Sequence, residues 1–198
     1  MSSILDQFKL DGKVAIVTGA ARGLGQGMAL ALAEAGADIV AVDVLPADDT
    51  RKQVEALGRS CLTLAANLSD RAAIPQVIAD ARKRFEHLDI LVNCAGIIRR
   101  ADFQDFTEKD WDDVMGINID AVFFLSQVFV RDLLSRNARG KIVNIASLLS
   151  FQGGVRVPSY TASKSAVQGL TRLMANELAS KGVNVNAIAP GYMATDNT

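Results

Sequence analysis

Residues 13–18, Lys13-Val-Ala-Ile-Val-Thr18, form an unbroken apolar run rich in β-branched side chains. A strand with one wet face alternates polar and apolar residues. An unbroken run belongs to a strand covered on both faces, which is the habit of parallel sheets packed between helices. The run passes directly into Gly19-Ala-Ala-Arg-Gly23-Leu-Gly25, then into an alanine- and leucine-rich segment that stops at Gly36. The alternation repeats along the chain. Strands are expected at 38–43, 61–65, 88–92, 141–146 and 183–189, and helices at 47–57, 70–85, 107–134 (with a break) and 159–180. Such alternation predicts an α/β fold, a doubly wound (Rossmann) parallel sheet with helices on both faces. Residues 1–12 read as a short arm, with Phe8 and Leu10 against the edge of the fold.

A chain of 198 residues is long enough for one domain with a substantial core. The net charge of −1 gives no reason to expect nucleic acid or an anionic membrane as partner. Cys61 and Cys94 each sit in an apolar stretch, which favours free thiols in a reducing compartment. A single His and no Cys/His cluster argue against a metal site. No signal-peptide pattern opens the chain, and no apolar run approaches the ~20 residues of a membrane span, so a cytoplasmic protein is expected.

The glycine turn is the first candidate site. Gly19 permits a tight turn, Gly23 lets the backbone approach a pyrophosphate, and Gly25 lets helix and strand pack closely. The helix N-terminus offers N–H groups and a partial positive charge to the phosphates. A glycine-rich turn that binds nothing is the alternative, but placement between a buried strand and a helix favours the dinucleotide. Asp43 ends the second strand, where a carboxylate accepts hydrogen bonds from an adenosine ribose and repels a 2′-phosphate. That argues for NAD over NADP, although Arg22 inside the turn pulls the other way. Leu24, Asn67 with Leu68, Asn93-Cys94-Ala95-Gly96 and Pro190-Gly191-Tyr192-Met193-Ala194-Thr195 complete the cofactor-binding candidates. They follow the carboxyl ends of strands, where an open α/β sheet binds ligands.

The second site is Ser147 to Lys164. Tyr160 and Lys164 are four residues apart, hence one turn apart on one helical face. A phenol, with its reference pKa of about 10, is a poor base at neutral pH. A cation ~4 Å away is worth ~4 kcal/mol at an effective dielectric near 20, enough to bring Tyr160 into proton exchange with a substrate hydroxyl. Ser147 follows the strand KIVNIA and can hydrogen-bond the same substrate oxygen. Asn118 is a polar residue in a long apolar stretch, read either as a core asparagine bonded to backbone or as one that fixes a water.

On these motifs the chain resembles the classical short-chain dehydrogenase/reductases, over its whole length. Thr18-Gly-Ala-Ala-Arg-Gly-Leu-Gly25 is similar to the family's TGxxxGxG. Asn93-Cys-Ala-Gly96 is similar to NNAG with cysteine for asparagine, and Pro190-Gly191 matches the PG turn. Asn118, Ser147, Tyr160 and Lys164 fall where the catalytic tetrad lies. The resemblance implies that Tyr160 is the general acid/base and that Lys164 lowers its pKa and holds the nicotinamide ribose. It also implies that Ser147 polarises the substrate oxygen, that Asn118 positions a proton-relay water, and that Thr195 contacts the nicotinamide amide. Asn67 stands where an aspartate is often found beside adenine.

Stretches such as GLGQGMAL, EKDWDDVM and SFQGGVRVPSYTASKS are similar to sugar-acid dehydrogenases of that family. They imply a substrate of the 2-dehydro-3-deoxy-D-gluconate or 2-deoxy-D-gluconate type. A carboxylate substrate needs a cation and donors, and Arg99, Arg100, Arg156 and Gln152 lie in loops flanking the site. Oxidation of gluconate at C5, another NADP-dependent ketoreduction, and a catalytically silent NAD(H)-binding protein are the alternatives. The resemblance further implies a homo-oligomer, tetramer or dimer, joined through the helices at 105–135 and 159–181. It implies one domain over 1–198 that lacks the family's usual C-terminal lid and last strand.

Overall fold

The computed structural model describes residues 4–194. Among them β1 (Val14–Thr18), β2 (Asp38–Asp43), β3 (Cys61–Ala65), β4 (Ile90–Asn93), β5 (Gly140–Ile145) and β6 (Val183–Ile188) form one sheet. Its order is β3-β2-β1-β4-β5-β6 and every pair is parallel. The chain winds outward from β1 to β3, then restarts at β4 on the other side of β1. Connections leave β1 and β4 in opposite directions, which opens a crevice at their carboxyl ends.

All five residues of β1 are buried. Its alternate residues serve two cores. Val14 and Ile16, with Val40, Leu91 and Ile142, face α3 (Ile74–Arg84), α5 (Ala121–Ser135) and α7 (Pro158–Leu178). Ala15 and Val17, with Ile39 and Ala41, face α1 (Gly23–Glu34) and α2 (Asp48–Ala56), which contribute Ala29, Ala33 and Val54. Alanine on both sides of the second interface lets α1 lie close to the sheet. Lys141, Asn184 and Asn186 on β5 and β6 are exposed.

Several elements differ from the sequence reading. β4 starts at Ile90 and runs on through Asn93, which pairs in register with Asn144; Leu88 is buried ahead of the strand. Residues 70–73 are a turn, because the Asp70 side chain accepts from Ala72 N at 2.9 Å and its carbonyl from Ala73 N at 3.0 Å. α4 (Glu108–Met115) opens on Thr107, whose Oγ1 accepts from Asp110 N at 3.1 Å as a cap. The expected break is a π-helical turn at Gly116–Asp120, so the helical run is continuous from Glu108 to Ser135. That 28-residue run is long and apolar enough to cross a membrane by length and composition, which the sequence reading did not flag. Here Val114, Leu125, Phe129 and Leu133 of the run are fully buried in the protein. A short α6 (Leu149–Gln152) was not expected. Phe8 is 71 % exposed and does not tuck in, whereas Leu10 packs on the α1 side of the core. Cys61 and Cys94 are both free and partly buried.

Candidate active site

The β1–α1 turn is shaped by its glycines. Gly19 has φ +68°, and a Cβ there would lie 2.9 Å from the Cα of Ala95, so the turn can touch the loop after β4 only as glycine. A Cβ on Gly25 would come within 2.0 Å of the Gly19 carbonyl oxygen. Thr18 Oγ1 accepts from the N–H groups of Cys94 and Ala95, each at 3.0 Å, and locks the two loops together. No side chain caps the N-terminus of α1; Arg22 at its cap is extended.

These loops floor a groove of about 720 Å³ lined by Gly19, Arg22, Gly23, Leu24, Gly25, Asp43, Asn67, Leu68, Ala95, Gly96, Tyr160 and Lys164. Asp43 holds its carboxylate at the far end of the groove by accepting from Ala21 N at 2.9 Å and Leu45 N at 3.0 Å. Asn67 uses its Oδ1 to accept from the Ser69 N–H at 3.2 Å and hydroxyl at 2.8 Å, so that oxygen is already engaged. An uncapped helix start, glycine turns and a fixed carboxylate in one elongated groove fit a dinucleotide. The side chain of Asn93 lies on the core side of the sheet. It is 4 % exposed and points into the protein, donating to Ser126 Oγ at 3.0 Å and Asn144 Oδ1 at 2.9 Å.

Tyr160 and Lys164 lie on α7, one turn apart as the spacing predicts. The Lys164 ammonium is 5.7 Å from the Tyr160 ring centroid and donates to the Ile145 carbonyl at 2.6 Å. It is 4 % exposed, and burial brings its pKa down to about 8. The expected lowering of Tyr160 by Lys164 is not found in the protein alone. Burial holds the phenol above its ordinary value; the hydrogen bond from Ser147 and the charge of Arg100 pull it down, and Cys94 pushes it up. The cation is aimed at the end of β5 instead of at the phenol oxygen, so desolvation prevails.

Asn118 sits fully buried in the π turn. Its Oδ1 accepts from Ile97 N at 2.9 Å, and its Nδ2 donates to Ile97 O at 3.0 Å and Ser163 Oγ at 3.2 Å. The side chain is thus the backbone-bonded core asparagine of the first reading, and a relay water would have to bind its carbonyl. Ser163 in turn donates to the Tyr160 carbonyl at 2.9 Å.

A second cavity, about 620 Å³, opens on the other side of Tyr160 and shares Leu24, Ile145 and Tyr160 with the groove. Ser147, Gln152 and Arg100 line it. Pro190, Gly191 and Met193 line this cavity too, where the loop after β6 passes beside Leu148. Thr195 lies outside the described residues. Two of the three arginines face elsewhere. Arg99 lies along the groove, 3.5 Å from Asp110 and 3.7 Å from Asp113 of α4. Arg156 pairs with Asp102 at 2.8 Å on the surface, where opposite charge is closer than the cavity.

The short chain dehydrogenase family matches this chain over residues 13–198. The protein is a short-chain dehydrogenase. As such it is an oxidoreductase that works with a nicotinamide cofactor on an alcohol or carbonyl carbon. It is 60 % identical to the 2-dehydro-3-deoxy-D-gluconate 5-dehydrogenase of Escherichia coli (strain K12), covering 98 % of this chain and 77 % of that one. It is 40 % identical to the gluconate 5-dehydrogenase of Gluconobacter oxydans (strain 621H), covering 98 % and 76 %. A crystal structure of a provisionally assigned 2-deoxy-D-gluconate 3-dehydrogenase from Agrobacterium tumefaciens, with bound NADP, superimposes with a TM-score of 0.91 at 52 % identity over 96 % and 76 % of the two chains.

Sequence reasoning overlooked parts of this short-chain dehydrogenase site. Thr18 was quoted only within a motif, yet a threonine ending a buried strand beside glycine is a group free to bond the next loop. Ser163 gave no signal at all, because a serine inside a helix is ordinarily neutral.

Proposed function

We propose that this short-chain dehydrogenase moves a hydride between NAD and a secondary alcohol or ketone carbon of a C6 sugar acid of the 2-dehydro-3-deoxy-D-gluconate type. The observation that carries the substrate reading is Arg100. Of the arginines near the site it is the one that shares a cavity with Ser147 and Tyr160, and its charge reaches the phenol. A carboxylate held by Arg100 would leave the rest of a sugar chain to extend toward Tyr160, with Gln152 to bond its hydroxyls. The names of the 60 % and 40 % identical relatives support the same class of substrate, gluconate being the alternative.

In this reading the nicotinamide, when bound, supplies the hydride acceptor or donor. Tyr160 takes or gives the hydroxyl proton. Ser147 holds the substrate oxygen against it, and Lys164, buried at the wall of the groove, keeps a positive charge beside the reacting centre at neutral pH. Asn118 fixes the Ile97 backbone and thereby the loop that separates the two cavities. NAD is favoured by Asp43, whose carboxylate is tied at both oxygens and cannot swing away from a 2′-phosphate. NADP in the Agrobacterium structure supports the opposite preference and makes the cofactor part of the test.

The experiment is steady-state kinetics with NAD and NADP over a panel of sugar acids and neutral ketones. Arg100→Met should raise KM for the sugar acid roughly tenfold or more, the worth of a charge-assisted hydrogen bond, and leave a neutral ketone unaffected. An unchanged KM for the acid overturns the role of Arg100. Tyr160→Phe should bind cofactor normally and lose turnover; retained turnover overturns the base. The two free thiols support a reducing, cytoplasmic setting.

A further inference from the structure

Ser147 is close to Tyr160 only if two separate elements are held in register. Ser147 belongs to the loop after β5, and Tyr160 and Lys164 to α7. What joins them is a residue of the short α6. The hydroxyl of Ser150 accepts from the Ser147 N–H at 3.2 Å and donates to the Lys164 carbonyl at 2.7 Å. The Ser150 N–H donates back to the Ser147 carbonyl at 3.0 Å. The Ser165 hydroxyl donates to the Ser150 carbonyl at 3.4 Å. Ser147 Oγ itself accepts from Leu149 N at 3.1 Å, which sets its rotamer toward Tyr160.

We propose that Ser150 is a positioning residue of the reaction, whose hydroxyl ties the Ser147 backbone to the Lys164 backbone and so holds the Ser147 hydroxyl against Tyr160. The inference rests on the reading of Tyr160 as the acid/base. The contacts close a ring. Ser147 and Tyr160 line the same cavity, Tyr160 and Lys164 are one helical turn apart, and Ser150 returns from Lys164 to Ser147. Only a group that both accepts and donates at one point can close it, which a hydroxyl does and a methyl does not. Without the bridge, the Ser147 N–H loses its partner and α6 is free to shift against α7. A displacement of an ångström at a reacting centre costs far more in rate than in stability.

The test is Ser150→Ala and Ser150→Cys, with Ser150→Thr as the hydroxyl-retaining control. Cysteine keeps the shape with a much weaker hydrogen bond, so it serves if the alanine variant does not fold. Both should lower kcat roughly tenfold or more, with KM and cofactor affinity little changed, and threonine should restore most of it. A second readout needs no substrate. The chain has two tyrosines, so in a Tyr192→Phe background the absorbance of phenolate at 295 nm reports Tyr160 alone. Weakening the bond from Ser147 should move that titration to higher pH in Ser150→Ala and leave it in place in Ser150→Thr. A folded Ser150→Ala protein with kcat within about twofold of wild type and an unmoved titration would overturn the proposal and leave Ser150 a packing residue. Wild type that turned over no sugar acid would overturn the substrate reading instead, and the titration would still decide Ser150.

Discussion

A lysine that is 4 % exposed, with its ammonium against a backbone carbonyl, leaves a mark on the stability of the whole protein. Burial lowers the Lys164 pKa from 10.5 to about 8. Between those two values the unfolded chain holds more protons than the folded one, so stability rises with pH across the window. Below about pH 8 the folded protein carries the full penalty of a desolvated charge. Relative to Lys164→Met, wild type should therefore gain on the order of 3 kcal/mol as pH climbs through that window. Urea denaturation of both proteins at about pH 7.5 and pH 10 measures it. Parallel behaviour of the two would mean that the ammonium is not desolvated. Its own burial holds the Tyr160 phenol above its ordinary value.

The loops on which these residues act are held by other loops. Residues 97–102 leave β4 and carry Arg100; residues 153–156 lead into α7, and Gly153, Gly154 and Val155 among them line the second cavity. They meet where Ala101 N donates to the Arg156 carbonyl at 3.1 Å and Arg156 pairs with Asp102 at 2.8 Å. Arg156 adopts φ +65°, a left-handed conformation that costs a non-glycine residue about 1 kcal/mol or more and persists only where its surroundings hold it. Arg156→Gly keeps that backbone and removes the pair. It should raise KM for the acid substrate about two- to fivefold with kcat little changed, since a surface pair is worth less than about 1 kcal/mol. Asp102→Asn should do the same, and both effects should be absent at high salt, where wild type is already screened. A fall in kcat at constant KM would place the pair's influence on the reacting centre and not on substrate entry.

The molecule as a whole leaves large apolar side chains uncovered on three of its helices. Trp111 on α4, Phe123 on α5 and Leu173 on α7 are 41 %, 39 % and 56 % exposed. These helices carry Asn118, Tyr160 and Lys164 on their inner sides, so packing against a second copy would stiffen the site from behind. Wild type is expected to run as a dimer or tetramer of the 21.1 kDa chain in light scattering, and Leu173→Glu to run smaller. A monomeric wild type would exclude this use of those helices.

The first buried strand and the placing of the glycine turn were legible from residues 13–25 alone, because a buried strand and its turn are set by local sterics and by the absence of polar side chains. The four-residue spacing of Tyr160 and Lys164 was equally local. What no spacing could reveal was direction. Asn93 reads like Asn67 in the sequence, each following a strand, yet one enters the core and the other lines the groove. Arg99, Arg100 and Arg156 are alike as loop arginines, and only the packed chain sets Arg99 along the groove, Arg100 in the cavity with Ser147 and Arg156 against Asp102. Lys164 could be placed on the face of Tyr160 from the sequence, but the Ile145 carbonyl that accepts its hydrogen bond comes from a strand 19 residues earlier. The sequence by itself determined the alternation of strands and helices and the spacing of the candidate reacting groups, since both rest on near neighbours. The tertiary structure decided their partners and their charge, since desolvation and long-range hydrogen bonds exist only after the chain has packed.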